Sequence, residues 1–334
     1  MSLPPVEIPL GAMRFNSDSQ KLEYWNGQIW MQIHTFSPNL DGGVRGIWAG
    51  GATPTRLATI DYITISTAGN AADFGDLNEV KEGGGAISSN TKGVFAGGYD
   101  GSGITANTSY ITISSTGDGI DYNDLTAATT SPAGFGNQTR GIVAGGKSPS
   151  NTNVIEYTTI ASHSDWRDFG DSTAAHITGS GCSNGMRGVY NLGYVTPARV
   201  STINYVTIPS LGNAQDFGDL TVTRNGTGAL SNSIRGIWGA GETPSVVAKM
   251  DYVTLATLGN AADFGDMLSG RFNIPNDGCS SPIRGVWGGG ATPSNQDVIQ
   301  YITIATQGNA VDFGNLTAAA SHKMAVSNGH GGLG

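Results

Sequence analysis

The sequence predicts an all-β protein, a six-bladed β-propeller preceded by a small N-terminal β meander. Three observations lead to this prediction: a unit that recurs six times, four strand signals within each unit, and a spare strand after the sixth unit. The composition agrees with it, because 51 of the 334 residues are glycine and only 13% are charged. Glycine and β-branched residues are weak helix formers, so short strands joined by tight turns are expected.

The repeated unit is marked by a basic residue followed by glycine and apolar residues, as in Arg45-Gly46-Ile47-Trp48. The basic residues recur at intervals of 47 to 49 residues. Such a regular period is typical of propeller blades, solenoids and arrays. The six positions are Arg45, Lys92, Arg140, Arg187, Arg235 and Arg284.

Each unit carries three further strand signals, so four strands and their connections account for its length. One is an alternating segment such as Tyr62-Ile63-Thr64-Ile65, and the next contains Asp73-Phe74-Gly75-Asp76. The last is small and apolar, as in Gly84-Gly85-Ala86-Ile87. Small residues suit the crowded axis of a propeller. The predicted order from the axis outwards is therefore the small strand, the Arg-Gly strand, the Tyr-Ile-Thr-Ile strand and the Asp-Phe-Gly-Asp strand.

The ends of the repeat region predict how the fold closes. The first unit opens at Arg45 with no small strand ahead of it, and a spare small strand, 322–328, follows the sixth unit. This strand is predicted to complete the first blade, because two unpaired edges would otherwise remain. An open β-solenoid is the alternative, and it would not need the exchange. The predicted organisation is an N-terminal attachment segment, 1–43, and a propeller, 44–334.

The glycine pair that ends the Arg-Gly strand, as in Gly50-Gly51, resembles the kelch family, whose blades carry a diglycine after the second strand. The resemblance covers about residues 44–330. It implies the architecture of a kelch-like propeller but no particular activity, because such propellers serve many roles.

Charge and cysteine content exclude several classes of function. The formal net charge is −9, which disfavours nucleic acid as a partner. No apolar run approaches the roughly 20 residues that span a bilayer, so membrane insertion is not expected. The N-terminus has neither the basic start nor the apolar stretch of a secretory signal. Cys182 and Cys279 occupy similar positions in non-adjacent units and are predicted to be free, buried thiols.

The ring of basic residues has two interpretations. In the first interpretation, the ring forms an anion site at one mouth of the axis. In the second, each residue pairs with a carboxylate of a neighbouring Asp-Phe-Gly-Asp segment, such as Asp73 or Asp76. The second is favoured because both features recur once per unit. The aspartate pairs themselves are poor calcium ligands, since each loop offers only two carboxylates. No metal and no cofactor is predicted.

No set of catalytic residues stands out, so the protein is predicted not to be an enzyme. Spacings such as Cys-x-x-Cys and His-x-x-x-His are missing, and there is no Ser-His-Asp set or phosphate-binding loop. A polysaccharide-active enzyme remains as an alternative through Glu79 and Glu82. These two glutamates share one loop, however, whereas glycosidase carboxylates flank the substrate.

The loops after the second and fourth strands of every blade emerge on one face, and those after the second strand vary most. Loops on a rigid scaffold commonly carry binding residues. The predicted ligand-binding residues of this face are Arg56, Tyr99, Asp100, Lys147, Tyr194 and Arg199.

Residues 11–30 do not fit the repeat and predict strand, polar turn, strand, Asn-Gly turn and strand. So short a segment cannot cover its own aromatic side chains, which therefore indicate contact with a partner. The alternative is that they pack against the repeat region. The predicted attachment residues are Phe15, Tyr24, Trp25 and Trp30.

This segment has the form Gly-x-x-x-Phe-Asn…Glu-Tyr-Trp-Asn-Gly-x-x-Trp, and it resembles a short module of tail fibres and other virion proteins of tailed phages. The repeats resemble those of uncharacterised virion proteins of marine phages and cyanophages. The resemblance implies a structural protein on the phage particle, held to other virion proteins by its N-terminal segment. Its propeller would bind a host-surface glycan or protein. A capsid or tail decoration or connector without a ligand is the alternative, and homo-oligomerisation is left open.

Overall fold

The structure, a computed structural model, describes residues 8–16, 21–32, 44–272 and 276–333. The chain divides into two compact units, Met1–Asp41 and Gly42–Gly334. Almost all regular structure in the described residues is β. The exceptions are two short 3-10 helices, Ile160–Ser162 and Gly331–Leu333.

The N-terminal unit contains a three-stranded antiparallel sheet, which confirms the predicted meander. Its strands are Met13–Asn16, Lys21–Trp25 and Trp30–Gln32. The Asn26 side chain accepts hydrogen bonds from the backbone N–H groups of Gln28 and Ile29, at 2.9 and 2.8 Å. Gly27 follows with a φ of +96°, which explains the Asn-Gly pair at this turn.

The second unit is built from antiparallel sheets with four main strands each, which we number 1 to 6 along the chain. Within each sheet the strands lie in the order first, second, third and fourth, as the sequence predicted. In that order they are Met324–Ser327, Arg45–Ala49, Thr59–Thr64 and Ala72–Asp76 (sheet 1); Gly85–Ser88, Lys92–Tyr99, Ile104–Thr112 and Ile120–Tyr122 (sheet 2); Ala133–Gly136, Arg140–Ala144, Ser150–Thr159 and Arg167–His176 (sheet 3); Gly181–Ser183, Arg187–Asn191, Thr202–Thr207 and Gln215–Asp219 (sheet 4); Gly228–Ser231, Arg235–Gly239, Lys249–Thr254 and Ala262–Asp266 (sheet 5); and Gly278–Ser280, Arg284–Gly288, Val298–Thr303 and Val311–Asn315 (sheet 6).

Short strands extend the loops that follow three of the second strands. Lys147–Ser148 pairs with the third strand of sheet 3. Ala52–Thr53 pairs with Thr55–Arg56, and Tyr194–Val195 pairs with Ala198–Arg199. These loops therefore have regular backbone structure rather than being open turns.

The strand that follows the sixth unit, Met324–Ser327, pairs antiparallel with Arg45–Ala49, with Met324 opposite Ala49 and Ser327 opposite Gly46. The sequence predicted this exchange but extended the strand to 322–328. His322 lies outside the strand because its backbone is left-handed, with a φ of +56°. Sheet 1 is thus assembled from both ends of the repeat region.

The apolar core lies between the sheets. Six clusters of buried side chains occur in the described residues, each shared by two consecutive sheets, and one of them joins sheet 6 to sheet 1. In that cluster Trp48 and Ile63 of sheet 1 meet Val286 and Phe313 of sheet 6. Full burial of one such side chain contributes about 1.5 to 3 kcal/mol to the free energy of unfolding.

The first strands lie next to one another. Each contacts the first strand of the next sheet, and Met324–Ser327 of sheet 1 contacts those of both sheet 6 and sheet 2. Small residues allow this approach. A Cβ atom on Gly84 would lie 2.6 Å from the Met324 sulfur and 2.8 Å from the Ala96 carbonyl oxygen. These antiparallel four-stranded sheets are consistent with a propeller-like fold.

The second glycine of each diglycine pair is expected to be intolerant of a side chain. Gly98 has a φ of +115°, and a Cβ atom there would lie 2.7 Å from the Glu82 carbonyl oxygen. We expect Gly98→Ala to lower the free energy of unfolding by about 2 to 3 kcal/mol. Gly103→Ala is the control, since nothing lies within 4 Å of its Cβ position. Urea denaturation of both variants measures the difference, and equal losses would contradict the prediction.

Candidate functional site

The basic residues of the second strands join neighbouring sheets. The Arg45 guanidinium stacks on Tyr62 of its own sheet, 5.0 Å from the ring centre, and its Nη1 donates a 2.8 Å hydrogen bond to the Ile113 carbonyl oxygen of sheet 2. The expectation that it pairs with Asp73 or Asp76 is wrong. A backbone carbonyl at the end of the neighbouring third strand is within reach of the stacked guanidinium, and it takes the place of the carboxylate.

The same hydrogen bond recurs from sheet to sheet and returns to the first. Arg284 of sheet 6 donates to the carbonyl oxygens of Ile65 and Ser66 of sheet 1, at 3.1 and 2.9 Å. Lys92 replaces arginine in sheet 2, and its ammonium group donates to the Ala161 carbonyl oxygen at 3.2 Å. The remaining donor–acceptor pairs are Arg140 with Ile208, Arg187 with Leu255, and Arg235 with Ile304 and Ala305. These basic residues therefore have a structural role at every sheet boundary.

A second series of polar contacts was not anticipated from the sequence. The residue before the tyrosine of each third strand is polar and buried, and it forms a hydrogen bond with a residue of the preceding sheet. That partner lies just after the fourth strand, except in sheet 3, where Thr173 lies within it. Thr221, for example, donates to Asp251 at 2.6 Å, and Thr317 donates to Asp61 at 2.5 Å. A polar residue before tyrosine in all six repeats was the signal that could have revealed the series. Its third-strand members are Asp61, Ser109, Glu156, Asn204, Asp251 and Gln300.

Two members of this series form buried ion pairs. Asp251 pairs with Arg224 at 2.9 Å, and both side chains are fully buried. Asp61 pairs with Lys323 at 3.2 Å, at the boundary of sheets 6 and 1. Burial lowers the pKa of Arg224, and Asp251 counteracts this effect by stabilising the cation.

The first strands of the sheets line a cavity of about 50 Å³. Ligand pockets commonly measure roughly 300 Å³ or more, so this cavity is too small for a sugar ring. At one end, the Asn276 amide donates to the carbonyl oxygens of Gly84 and Pro132 at 3.1 and 2.6 Å. At the other end, His330 bonds to the Ser88 carbonyl oxygen at 3.1 Å. Polar side chains thus lie at both ends of this cavity.

A larger hollow, of about 480 Å³, lies on sheet 4. One hairpin, residues 205–215, supplies its whole lining, and Tyr205 donates a 2.6 Å hydrogen bond to Gln215 beside it. Because a single hairpin lines it, this hollow has only one wall and gathers no residues from different sheets.

The loops after the second and fourth strands meet, as the sequence predicted. Tyr99 forms a backbone bridge with Glu82, and Lys147 forms the equivalent bridge with Thr130. We call the surface formed by these loops the loop face. The bridged pairs at the six sheet boundaries are Ala52 with Ser321, Tyr99 with Glu82, Lys147 with Thr130, Tyr194 with Ile177, Glu242 with Asn225, and Ala291 with Phe272.

Arg56 and Tyr99, both predicted as binding residues, come together on the loop face. The Arg56 guanidinium lies 4.7 Å from the centre of the Tyr99 ring and forms a 2.8 Å ion pair with Glu82. His322 lies 3.8 Å from the other Glu82 oxygen. Burial lowers the pKa of His322, while Glu82 favours and Arg56 opposes its protonation. We call these four residues the Arg56 cluster.

Arg199 forms a second cluster at the boundary of sheets 4 and 5. It donates to the Asn225 side chain at 2.7 Å and to Glu242 at 2.5 Å. The Arg199 and Glu242 side chains are each about one third exposed, at 32% and 31%. We call these three residues the Arg199 cluster.

The other predicted binding residues do not join either cluster. The Asp100 carboxylate accepts hydrogen bonds from the backbone N–H groups of Gly103 and Ser102, which lower its pKa, so it stabilises its own turn. Lys147 is exposed, and Tyr194 donates to the Pro197 carbonyl oxygen within its own hairpin.

The two glutamates considered for polysaccharide hydrolysis have different partners. Glu79 pairs with Lys81 at 3.1 Å and accepts a hydrogen bond from Asn107 at 2.8 Å, whereas Glu82 binds Arg56. Each carboxylate is therefore engaged in its own ion pair.

Two of the predicted attachment residues are well exposed within the N-terminal unit, Phe15 by 66% and Tyr24 by 38%. Trp25 and Trp30 pack against each other with their ring centres 5.5 Å apart, and the Arg14 guanidinium lies 4.2 Å from the Trp30 ring centre.

Cys182 and Cys279 are free and buried, as predicted. Within the described ranges, no three His, Cys, Asp or Glu side chains gather closely enough to hold a metal ion. The described residues also contain no helix with the length and apolar character needed to span a membrane.

No protein-family model matches this chain, and no curated protein matches it significantly.

The buried ion pair of Asp251 is expected to matter far more than an exposed one. Asp251→Ala leaves the Arg224 cation buried without a carboxylate, so we expect it to cost about 3 to 5 kcal/mol of unfolding free energy. Asp263, which is 64% exposed and pairs with Lys249 at 2.7 Å, is the matched control. Asp263→Ala should cost less than about 1 kcal/mol. Urea denaturation compares the two, and a small loss for Asp251→Ala would contradict the role assigned to this pair.

Stability is expected to fall as the pH drops from about 6.5 to about 4. His330 accepts a hydrogen bond from the Gly332 N–H at Nδ1 and donates from Nε2 to Ser88, which requires the neutral ring, and burial lowers its pKa to about 4. The unfolded chain therefore binds a proton that the folded chain excludes in this range. We expect up to about 3 kcal/mol to be lost. Thermal melts at pH 7 and 4.5 should differ less for His330→Gln, and an unchanged difference would contradict this assignment.

Proposed function

We propose that residues 44–334 form a closed six-bladed β-propeller of the kelch-like kind, and that the protein is a structural component of a tailed-phage particle. In this proposal it is a tail-fibre or spike-type protein on the virion surface, and its propeller binds a glycan or protein of the host surface. The observation that carries the binding role is the loop face, where side chains that break the repeat are gathered.

The closed ring is supported by contacts that continue from sheet to sheet. Arg45 of sheet 1 donates to Ile113 of sheet 2, and Arg284 of sheet 6 donates to Ile65 of sheet 1. The apolar cluster of Trp48 and Phe313 also joins sheets 6 and 1. Six sheets in one such series correspond to six blades.

The particle role rests on the N-terminal segment. Its sequence resembles a module of phage tail fibres, and its meander exposes apolar side chains such as Leu10, Met13 and Phe15 by 60% or more. Exposed apolar groups at this density suit contact with another protein. We therefore assign this segment to attachment to other virion proteins.

A decoration or connector protein without a ligand is the second candidate. The regularity of the inter-sheet hydrogen bonds favours it, because five arginines and Lys92 are used in the same structural way. This candidate differs from the first in one respect: the loop face would have no binding function.

Binding of the full-length chain to a panel of marine bacteria and cyanobacteria tests the proposal. We expect saturable binding that falls at least tenfold in Tyr99→Ala with Tyr194→Ala, since both tyrosines lie on the loop face. Met186→Ala with Ile234→Ala is the matched control, because both residues are more than 60% exposed and lie in the loops after the first strands, at the other ends of the sheets. The test includes strains that are infected by a phage carrying this protein. If the chain binds none of those strains, the receptor-binding role is wrong. Equal losses for both double variants would exclude the loop face.

A further inference from the structure

The Arg56 cluster and the Arg199 cluster occupy the same place in two sheets. In both, the arginine contacts a partner 26 residues later, Glu82 or Asn225, and a second partner 43 residues later, Tyr99 or Glu242. One cluster lies at the boundary of sheets 1 and 2 and the other at the boundary of sheets 4 and 5. They are therefore equivalent sites three sheets apart on the loop face.

Arginine occurs at this position in no other sheet. The corresponding residues are Ile104 in sheet 2, Asn151 in sheet 3, Val246 in sheet 5 and Asn295 in sheet 6. Asn151 donates to Thr196 and Asn295 donates to the Ala52 carbonyl oxygen, so these residues contact the next sheet but bring no charge. The two arginine clusters depart from the repeat in the same way.

Charge within each cluster is balanced. Arg56 lies 2.8 Å from Glu82, and Arg199 lies 2.5 Å from Glu242. An anionic ligand would have to displace these carboxylates, and a cationic one would have to displace the guanidinium groups. The balance favours an uncharged ligand that bonds to both partners while leaving the ion pair in place.

The groups that remain suit the hydroxyl groups of a sugar. A guanidinium offers several N–H donors in a fixed plane, and carboxylate and amide oxygens retain acceptor capacity. In the Arg56 cluster the half-buried Tyr99 adds an aromatic surface, which suits the apolar face of a sugar ring. All these groups are partly exposed and lie on loops with regular backbone pairing.

We infer that the loop face binds a neutral polysaccharide at the Arg56 cluster and the Arg199 cluster together. This inference rests on the proposed host-binding function and names its ligand class. A polysaccharide presents the same sugar unit many times, so two equivalent sites on one rigid scaffold bind two units of one surface. Linked sites of this kind gain roughly 10² to 10⁴ in avidity over a single site.

The test measures binding of the full-length chain to immobilised bacterial polysaccharides of known repeat unit, neutral and acidic, at equal density. We expect binding to at least one neutral polysaccharide. Arg56→Gln and Arg199→Gln should each weaken it at least tenfold, and the double variant should abolish it. Lys249→Gln, which removes an exposed ion pair between the third and fourth strands of sheet 5, is the matched control and should bind normally. Thermal melting verifies that every variant is folded, and Glu242→Gln serves as a second probe of the Arg199 cluster.

Four results would overturn the inference. Binding restricted to acidic polysaccharides would show that the charge argument is wrong, and normal binding by the double variant would show that the site is wrong. Binding to intact cells without binding to any polysaccharide would refute the sugar ligand while leaving the proposed host-binding function in place. Binding to neither cells nor polysaccharides would refute both.

Discussion

The hydrogen bond from a basic residue of one sheet to a backbone carbonyl of the next is the constraint on which the rest of residues 44–333 depends. It joins sheet 1 to sheet 2 through Arg45 and sheet 6 back to sheet 1 through Arg284. Hydrogen bonds to charged groups contribute about 1.5 to 3 kcal/mol each. Because the acceptor is a carbonyl on a neighbouring third strand, each sheet must hold its neighbour in register, and a shift at one boundary would break the bond.

This constraint explains which positions of the repeat vary. The second strands keep the basic residue, the glycine and an apolar pair because these groups meet the two neighbouring sheets. The third strands keep a buried polar residue before tyrosine for the same reason, as Asp61 and Asp251 show. The loops after the second strands differ most from sheet to sheet, so the residues that depart from the repeat gather on the loop face.

Much of this arrangement could be predicted from the sequence, because it follows from periodicity. Strand order, the exchange of Met324–Ser327 into sheet 1 and the buried thiols all depend on counting equivalent positions. The partner of Arg45 could not be predicted, since a backbone carbonyl such as that of Ile113 leaves no trace in the sequence. Nor could the Arg56 cluster, whose members, Arg56, Glu82, Tyr99 and His322, come from separate loops that only the packing of the sheets brings together.

The distribution of charge argues for the loop face over the outer perimeter as a contact surface. The fourth strands expose carboxylates such as those of Asp73 and Asp76, and the equivalent aspartates of other sheets are exposed in the same way. Charged edge strands oppose pairing with other chains. They also repel an anionic surface within a screening distance of about 10 Å. In the two arginine clusters of the loop face, by contrast, each guanidinium is already neutralised by a carboxylate, so close approach of a surface there meets no comparable repulsion.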